Sequence, residues 1–357
     1  MSGGRALIGM SGGVDSSLAA KLMRDRGFDC VGCTMKLFDA EDGPDRPCCS
    51  LNDVEGARAV ANRLGIPFYV FNFREEFRSQ VIDRFIAAYE AGRTPNPCID
   101  CNRHLKFGKL LRRAEELGCR WVVTGHYARV EEQNGRFLLK RAADPAKDQT
   151  YFLACLTQAQ LAHVKFPLGD YTKAEVRELA RQAGFVNAGK RDSQDICFVP
   201  GGDYAAVMEA YTGKTYPAGD YLDQSGNVVG RHRGAVRYTL GQRKGLDLAL
   251  GTPVYVCAKD MERNTVTVGP DAALYSPGLR AEGMVWFPFD APDGPLRCTV
   301  KTRHSQREAP ATVRPLEDGG ALVEFDAPQR AVTPGQAVVL YDGDIVLGGG
   351  TIGEAIS

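Results

Sequence analysis

The 357-residue sequence predicts an α/β protein. A parallel, doubly wound sheet domain is followed by a small β-rich central domain and a C-terminal β-barrel. Three observations carry this prediction. Strand-like apolar runs alternate with helical periods through the first half of the chain. A Gly-rich turn joins the first run to the first helix. Beyond about residue 205, Gly, Pro and short β-rich runs take over.

The elements follow in order. Residues 5–10 (RALIGM) read as a strand and 14–26 as a helix, with Gly27 as its stop. The next strand is 28–36, then a helix over 52–64 and a strand over 67–73. Helices are expected at about 75–91 and 105–117, and WVVTG (121–125) is a further strand. ARVEEQNGRFLLKRA predicts a hairpin turning at Asn134-Gly135. Residues 172–184 form a helix with a Thr172 cap and Glu175 at the capping-box position. GAVRYTLGQ, TPVYVCA, NTVTVG, RCTVKTR, ALVEFDAP and AVVLYDG are the later β-rich runs. PDAALYSPGLRA, at about 270–282, reads as a linker. The domains expected are 1–204, 205–272 and 273–357.

Hydrophobic residues make up 44% of the chain and charged residues 25%, enough for a sizeable core. No run has the length of a membrane span, and the N-terminus lacks the regions of a signal peptide. A cytoplasmic protein is expected. The formal net charge is zero, which argues against unspecific coating of nucleic acid but allows a local basic groove. Among the eleven cysteines, Cys30, Cys33, Cys119, Cys155, Cys257 and Cys298 read as small buried apolar residues. Cys30 and Cys33 lie in one strand, where alternation puts their thiols on opposite faces. Cys48 and Cys49 sit in a loop and acquire no role.

The sharpest motif is Ser11-Gly12-Gly13-Val14-Asp15-Ser16-Ser17, placed between a strand and a helix. Glycines let backbone N–H groups approach phosphate oxygens. The helix start adds positive dipole, and the serine hydroxyls add donors. The GK[ST] ending of a Walker loop is absent. The pattern resembles instead the PP-loop of the HUP-like ATP pyrophosphatases, which split ATP into AMP and pyrophosphate. That resemblance implies that Asp15 helps to hold Mg2+.

Further segments narrow the activity: GRTPNPCIDCNRHLKFG (92–108), TGHYAR (124–129), KDQTYFL (147–153), DSQDICF (192–198), YTLGQRKGL (238–246), VKTRHSQ (300–306) and TPGQ (333–336). In this order they are similar to the tRNA 2-thiouridylase family (MnmA/TrmU), from residue 5 to about residue 350. The resemblance implies ATP-dependent 2-thiolation of the wobble uridine in the anticodon stem-loop of tRNAs for Lys, Glu and Gln. It also implies site residues. Gly9, Met10, Ser11, Gly12, Gly13, Val14, Asp15 and Ser16 would wrap the ATP phosphates. Met35 would contact adenine, and Gly125 would line the nucleotide site. Asn96, Pro97 and Cys98 would meet the target base, with His126 near the tRNA. Lys147, Asp148, Gln149, Arg303, His304 and Gln336 would contact tRNA.

Cys101 and Cys197 match the two family thiols. The resemblance implies that Cys197 becomes a persulfide whose terminal sulfur attacks C2, and that a Cys101–Cys197 disulfide remains. Arg93, Arg103, His104, Lys106 and Lys109 crowd Cys101, and Lys190 and Arg191 precede Cys197. These charges favour thiolate and an RNA backbone. The family commonly has Asp where this chain has Cys98. Cys98, Cys101 and Cys197 could instead hold a [4Fe–4S] cluster with one open iron. Persulfide relay and cluster-bound sulfide both stand at this point. A sulfur donor such as a cysteine desulfurase or a relay protein is implied, with a monomeric enzyme. A PP-loop enzyme acting on a small molecule, and a non-catalytic tRNA-binding protein, are the competing readings. The segments 92–109 and 300–306 oppose the first, and the intact loop with both thiols opposes the second.

Overall fold

A computed structural model describes residues 3–38, 51–190 and 196–356. The first domain is built on five parallel strands: β1 (Arg5–Gly9), β2 (Asp29–Lys36), β3 (Phe68–Asn72), β4 (Trp121–Val123) and a two-residue β7 (Val164–Lys165), in the order β3-β2-β1-β4-β7. Every strand-to-strand connection is a crossover, as parallel pairing requires. Alternation decides what each face buries. Leu7, Val31 and Cys33 enter one core cluster, while Ala6, Ile8 and Cys30 enter the cluster on the other side. Cys30 and Cys33 are therefore on opposite faces, and both are buried core residues.

Helix α1 (Val14–Asp25) and helix α2 (Leu51–Leu64) cover the second face. The first face is covered by two long helical stretches, 74–90 and 97–116. Each contains a π-helical segment, Arg78–Ile82 and Cys101–Lys109. Phe77, Phe85 and Phe107 from these stretches are fully buried, each contributing about 2 kcal/mol by removal from water. The helix Lys173–Gln182 has the expected reciprocal capping box between Thr172 and Glu175.

The hairpin β5 (Arg129–Gln133) and β6 (Arg136–Lys140) turns at Asn134 and Gly135, both with positive φ, as its sequence predicts. It does not join the parallel sheet. It extends the sheet of the C-terminal barrel by pairing β6 with the last strand.

The central module pairs β8 (Gly219–Leu222), β9 (Val228–His232), β10 (Tyr255–Asp260) and β11 (Thr265–Gly269) in the order β10-β11-β8-β9. Six strands follow: β12 (Tyr275–Trp286), β13 (Leu296–Lys301), β14 (Ala309–Pro315), β15 (Ala321–Arg330), β16 (Ala337–Asp342) and β17 (Ile345–Ile356). The antiparallel pairing of β12 with β17 closes them into a barrel. The linker expected over 270–282 is corrected here, because most of it is strand β12. Its Pro and Gly mark irregularities of a barrel strand, with register shifts between Ser276 and Gly278 and between Glu282 and Val285.

Glycines also let the barrel dock. A Cβ on Gly349 would lie 2.8 Å from the Ala154 carbonyl oxygen, and one on Gly335 would lie 3.0 Å from Thr94 N. No helix among the described residues is long and apolar enough to cross a membrane.

Candidate active site

The Gly-rich loop lies at the carboxyl end of β1, where ligands of parallel sheets bind. Gly12 has φ +73°, and a Cβ there would lie 2.4 Å from the Asp53 carbonyl oxygen. Only glycine fits both the angle and the space. Gly13 is the N-cap of α1 and supplies no side-chain cap. The first amides of α1 are thus left for a ligand, on the positive end of the helix. Around them the loop is internally bonded. The Ser17 hydroxyl donates to Gly13 O (2.9 Å), the Ser16 hydroxyl donates to the same oxygen (3.2 Å), and Ser11 N–H donates to Ser16 Oγ (3.1 Å). Gly9 ends β1, and the Met10 side chain is buried beneath the loop, its carbonyl accepting from Thr34 Oγ1 at 2.6 Å. Met35 stands at the same sheet end, on β2. A Cβ on Gly125 would lie 2.8 Å from Asp15 C and Ser16 N, so Gly125 is pressed directly against the loop.

Three residues at this loop escape the sequence reading. Lys173 donates to both carboxylate oxygens of Asp15, at 2.7 and 2.8 Å, and Tyr127 OH donates to Asp15 Oδ1 at 2.9 Å. Asn187 Nδ2 donates to Gly12 O (3.0 Å) and Ser17 Oγ (2.9 Å), while its buried Oδ1 has no hydrogen-bond partner among the described residues. Lys173 opens a well-capped helix and reads as an ordinary helical lysine. Its role depends on a contact across 158 residues, which no local pattern announces.

Cys98 and Cys101 lie in the first turns of the helical stretch 97–116. Cys98 is exposed and Cys101 buried. The charges crowded in sequence do not lower the Cys101 pKa as expected. Burial pushes its thiol above the usual value; Lys106 pulls it down, and Cys98 and Asp100 push it up. Two of the other cations are engaged elsewhere: Lys109 pairs with Glu76 at 2.6 Å and Arg93 lies 3.8 Å from Glu282. Cys197 is partly buried at the edge of the first core cluster, beside Phe198, whose ring packs edge-on against Phe77 and Phe85. Lys190 pairs with Asp53. Arg191, Cys48 and Cys49 lie outside the described residues.

The described cysteines form no disulfide. Among the described residues no three His, Cys, Asp or Glu side chains are grouped to hold a metal. A cluster on Cys98, Cys101 and Cys197 therefore lacks its ligand set here. Cys98 is exposed, Cys101 buried and Cys197 partly buried.

The remaining candidate residues tie elements together. His126 is buried beside Phe107 and Phe166, with Nδ1 2.7 Å from Thr124 Oγ1 and Nε2 3.4 Å from Lys106 Nζ. Burial, then Lys106, holds its pKa well below the ordinary imidazole value, so the ring is neutral. Lys106 can only donate, which assigns the proton to Nδ1. Asp148 accepts from Ala142 N–H and the Thr150 hydroxyl, and Gln149 Oε1 accepts from Tyr127 N–H. Lys147 is partly buried in the turn before them. Arg303 donates to Leu240 O and Thr333 Oγ1, joining the central module to the barrel. His304 packs on Phe152, with ring centres 4.6 Å apart. Gln336 Nε2 donates to Thr94 O (2.9 Å) and fixes the segment leading to Asn96 and Pro97.

Two cavities lie between the 97–116 helix and the barrel. One, of about 320 Å³, is lined by Arg84, Arg93, Asn96, Asp100 and Arg103 opposite Gly349–Thr351. The other, of about 400 Å³, is lined by Arg103, His104, Arg112 and Gln160 opposite Gly283 and Val285. Arg103 and Cys155 border both, so the two cavities adjoin along a groove lined by basic side chains of the helical domain.

Comparison with known proteins agrees with this architecture. Residues 4–201 match the family model described as tRNA methyl transferase HUP domain. Residues 206–270 match the tRNA methyl transferase PRC-barrel domain, and 276–352 the Aminomethyltransferase beta-barrel domain. The tRNA-specific 2-thiouridylase MnmA of Heliobacterium modesticaldum is 49% identical over 352 residues, covering 97% of this chain and 91% of that protein. That of Acetivibrio thermocellus is 47% identical over 358 residues, covering 99% and 100%. That of Clostridioides difficile is 46% identical over 356 residues, covering 99% of each. On this full-length likeness the chain belongs to the tRNA-specific 2-thiouridylase MnmA family.

Proposed function

We propose that the chain is a tRNA-uridine 2-sulfurtransferase. It uses ATP to replace O2 of the wobble uridine in tRNAs for Lys, Glu and Gln with sulfur. The observation that carries this reading is the intact SGGVDSS loop, together with Cys101 and Cys197, on a chain nearly half identical from end to end to tRNA-specific 2-thiouridylases.

The chemistry needs both halves. A uracil carbonyl is a weak electrophile without a leaving group. Attack of O2 on the α-phosphorus of ATP expels pyrophosphate and turns that oxygen into part of an AMP leaving group. Uncapped α1 amides and the exposed Ser11 hydroxyl suit the phosphates. Mg2+ would accompany the triphosphate, with Asp15 as the carboxylate of the loop. The terminal sulfur of a Cys197 persulfide then attacks C2, and AMP departs with the oxygen. Cys101 thiolate attacks Cys197 Sγ. The S–S bond breaks, its electron pair stays on the sulfur at C2, and a Cys101–Cys197 disulfide is left. Sulfur would come from a cysteine desulfurase or relay protein, to a cytoplasmic monomer.

The deciding experiment combines tRNA-stimulated AMP release with mass spectrometry of 2-thiouridine. Cys197→Ser is expected to abolish 2-thiouridine while tRNA affinity changes less than about twofold. Thiolation surviving in that variant would remove Cys197 from the mechanism. ATP turnover indifferent to tRNA would favour a small-molecule substrate, and absence of turnover a binding protein. Iron and acid-labile sulfide in protein purified without oxygen, at about four irons per chain, would replace the persulfide relay by a cluster.

A further inference from the structure

We propose that Cys98 is a resolving thiol, which takes the disulfide off Cys101 after each sulfur transfer and carries it to the protein surface. This inference rests on the persulfide reading above.

The geometry comes from the helix. Cys98 and Cys101 lie three residues apart in the first turns of the stretch 97–116. Residues so spaced share one helix side, with Cα atoms about 5 Å apart. That separation is within the range of about 4.4–6.8 Å that a disulfide spans. Their exposures differ sharply: Cys98 is open to solvent, while Cys101 is only 9% exposed. The two thiols are near enough for charge on Cys98 to act on the ionisation of Cys101.

The chemical need arises at Cys101. Thiol–disulfide exchange requires in-line access to the sulfur attacked. A disulfide ending on buried Cys101 shields that sulfur from a protein reductant, and Cys197, its other end, is itself partly buried. Cys98 thiolate can reach it from within. It attacks Cys101 Sγ, forming the Cys98–Cys101 bond and breaking the Cys101–Cys197 bond. The electron pair leaves on Cys197, which is regenerated as a thiolate for the next sulfur. No net oxidation occurs in this step. An external dithiol then attacks Cys98, supplies two electrons and two protons, and leaves Cys98 and Cys101 as thiols. The CxxC pair thus moves the oxidised bond from the interior to the surface.

The test uses the full-length protein with ATP, tRNA and a low-molecular-weight persulfide donor, in the absence of reductant. The reaction is quenched in acid, free thiols are alkylated, and disulfides are mapped by mass spectrometry. The expected result is a Cys98–Cys101 disulfide with Cys197 alkylated. Cys98→Ser should instead trap Cys101–Cys197. With a thioredoxin-class dithiol, its steady-state rate should fall about tenfold relative to its own first-turnover rate, and a small phosphine should restore it. A wild-type map showing only Cys101–Cys197, or a Cys98→Ser enzyme that cycles on the protein dithiol as fast as its first turnover, overturns the proposal. Failure of the wild type to make 2-thiouridine from the persulfide donor overturns the persulfide reading itself, and this inference with it.

Discussion

At the scale of single residues, the nucleotide loop depends on groups its own motif does not contain. Lys173 neutralises Asp15 and is itself nearly buried, with a side chain only 11% exposed. A charge so enclosed is stable only while paired. Lys173→Met should therefore leave Asp15 misplaced beside the phosphates. We expect tRNA-stimulated pyrophosphate release to fall about a hundredfold, roughly 3 kcal/mol at the transition state, with tRNA affinity unchanged. Release within threefold of wild type would reduce the ion pair to a packing contact. Cys101 offers a second residue-scale prediction. Burial raises its thiol pKa above the ordinary cysteine value, so at neutral pH the reactive thiolate is the minor form. The rate of Cys101 attack should then keep rising as pH increases above neutrality. Lys106→Met should move that rise to higher pH, because Lys106 favours the thiolate. Rapid-quench measurement of 2-thiouridine release against pH checks both, and a plateau near pH 7 would contradict the raised thiol.

Elements built from contiguous residues were legible in the sequence, and their docking was not. The strand–loop–helix of residues 5–25 could be read because glycine spacing and strand periodicity lie within it. The Asn134-Gly135 turn was equally plain, yet nothing local told that its hairpin would extend the barrel through Ile345 and Lys140. Misreading 270–282 as a linker had a physical cause. Gly278 lets β12 pass β15, since a Cβ there would lie 2.6 Å from Val323 O, and Gly283 takes φ +59° at a register shift. The glycines of a closely packed, bulged strand look like those of a turn. The two glycines of the nucleotide loop allow a test at this scale. Gly12→Ala meets both a forbidden angle and the Asp53 carbonyl, whereas a Cβ on Gly13 meets nothing nearer than Ser11 Oγ at 3.4 Å, at an ordinary φ of −87°. Gly12→Ala should lower the melting temperature by roughly 4–10 °C and weaken ATP binding about tenfold. Gly13→Ala should melt close to wild type. Equal behaviour of the two in calorimetry would mean the loop relaxes around a side chain.

For the whole molecule, zero net charge conceals where the charge lies. The groove facing the barrel carries Arg103, His104 and Arg112 from the 97–116 helix, Arg84 from the 74–90 stretch and Arg93 from the loop between them, with Asp100 as its acidic member. Arg84 approaches Asp100 to 3.4 Å, so that pair is largely compensated. Arg103 borders both cavities and Arg112 the larger one, which leaves them as the cations best placed for a phosphodiester chain. Each phosphate contact releases counterions, so binding through this groove should depend steeply on salt. Arg103→Gln together with Arg112→Gln should weaken tRNA binding about tenfold and flatten the slope of log Kd against log salt by about one to two. ATP affinity should be retained, because no residue of the Gly12 loop lines either cavity. Arg297→Gln, on the barrel exterior and paired with Asp326 at 2.7 Å, should change neither quantity. Filter binding across a salt series measures all three variants. A slope unaltered in the double variant would move the RNA path to another face, whereas a slope lowered only there would make the interdomain groove the track along which tRNA reaches Asn96 and Cys101.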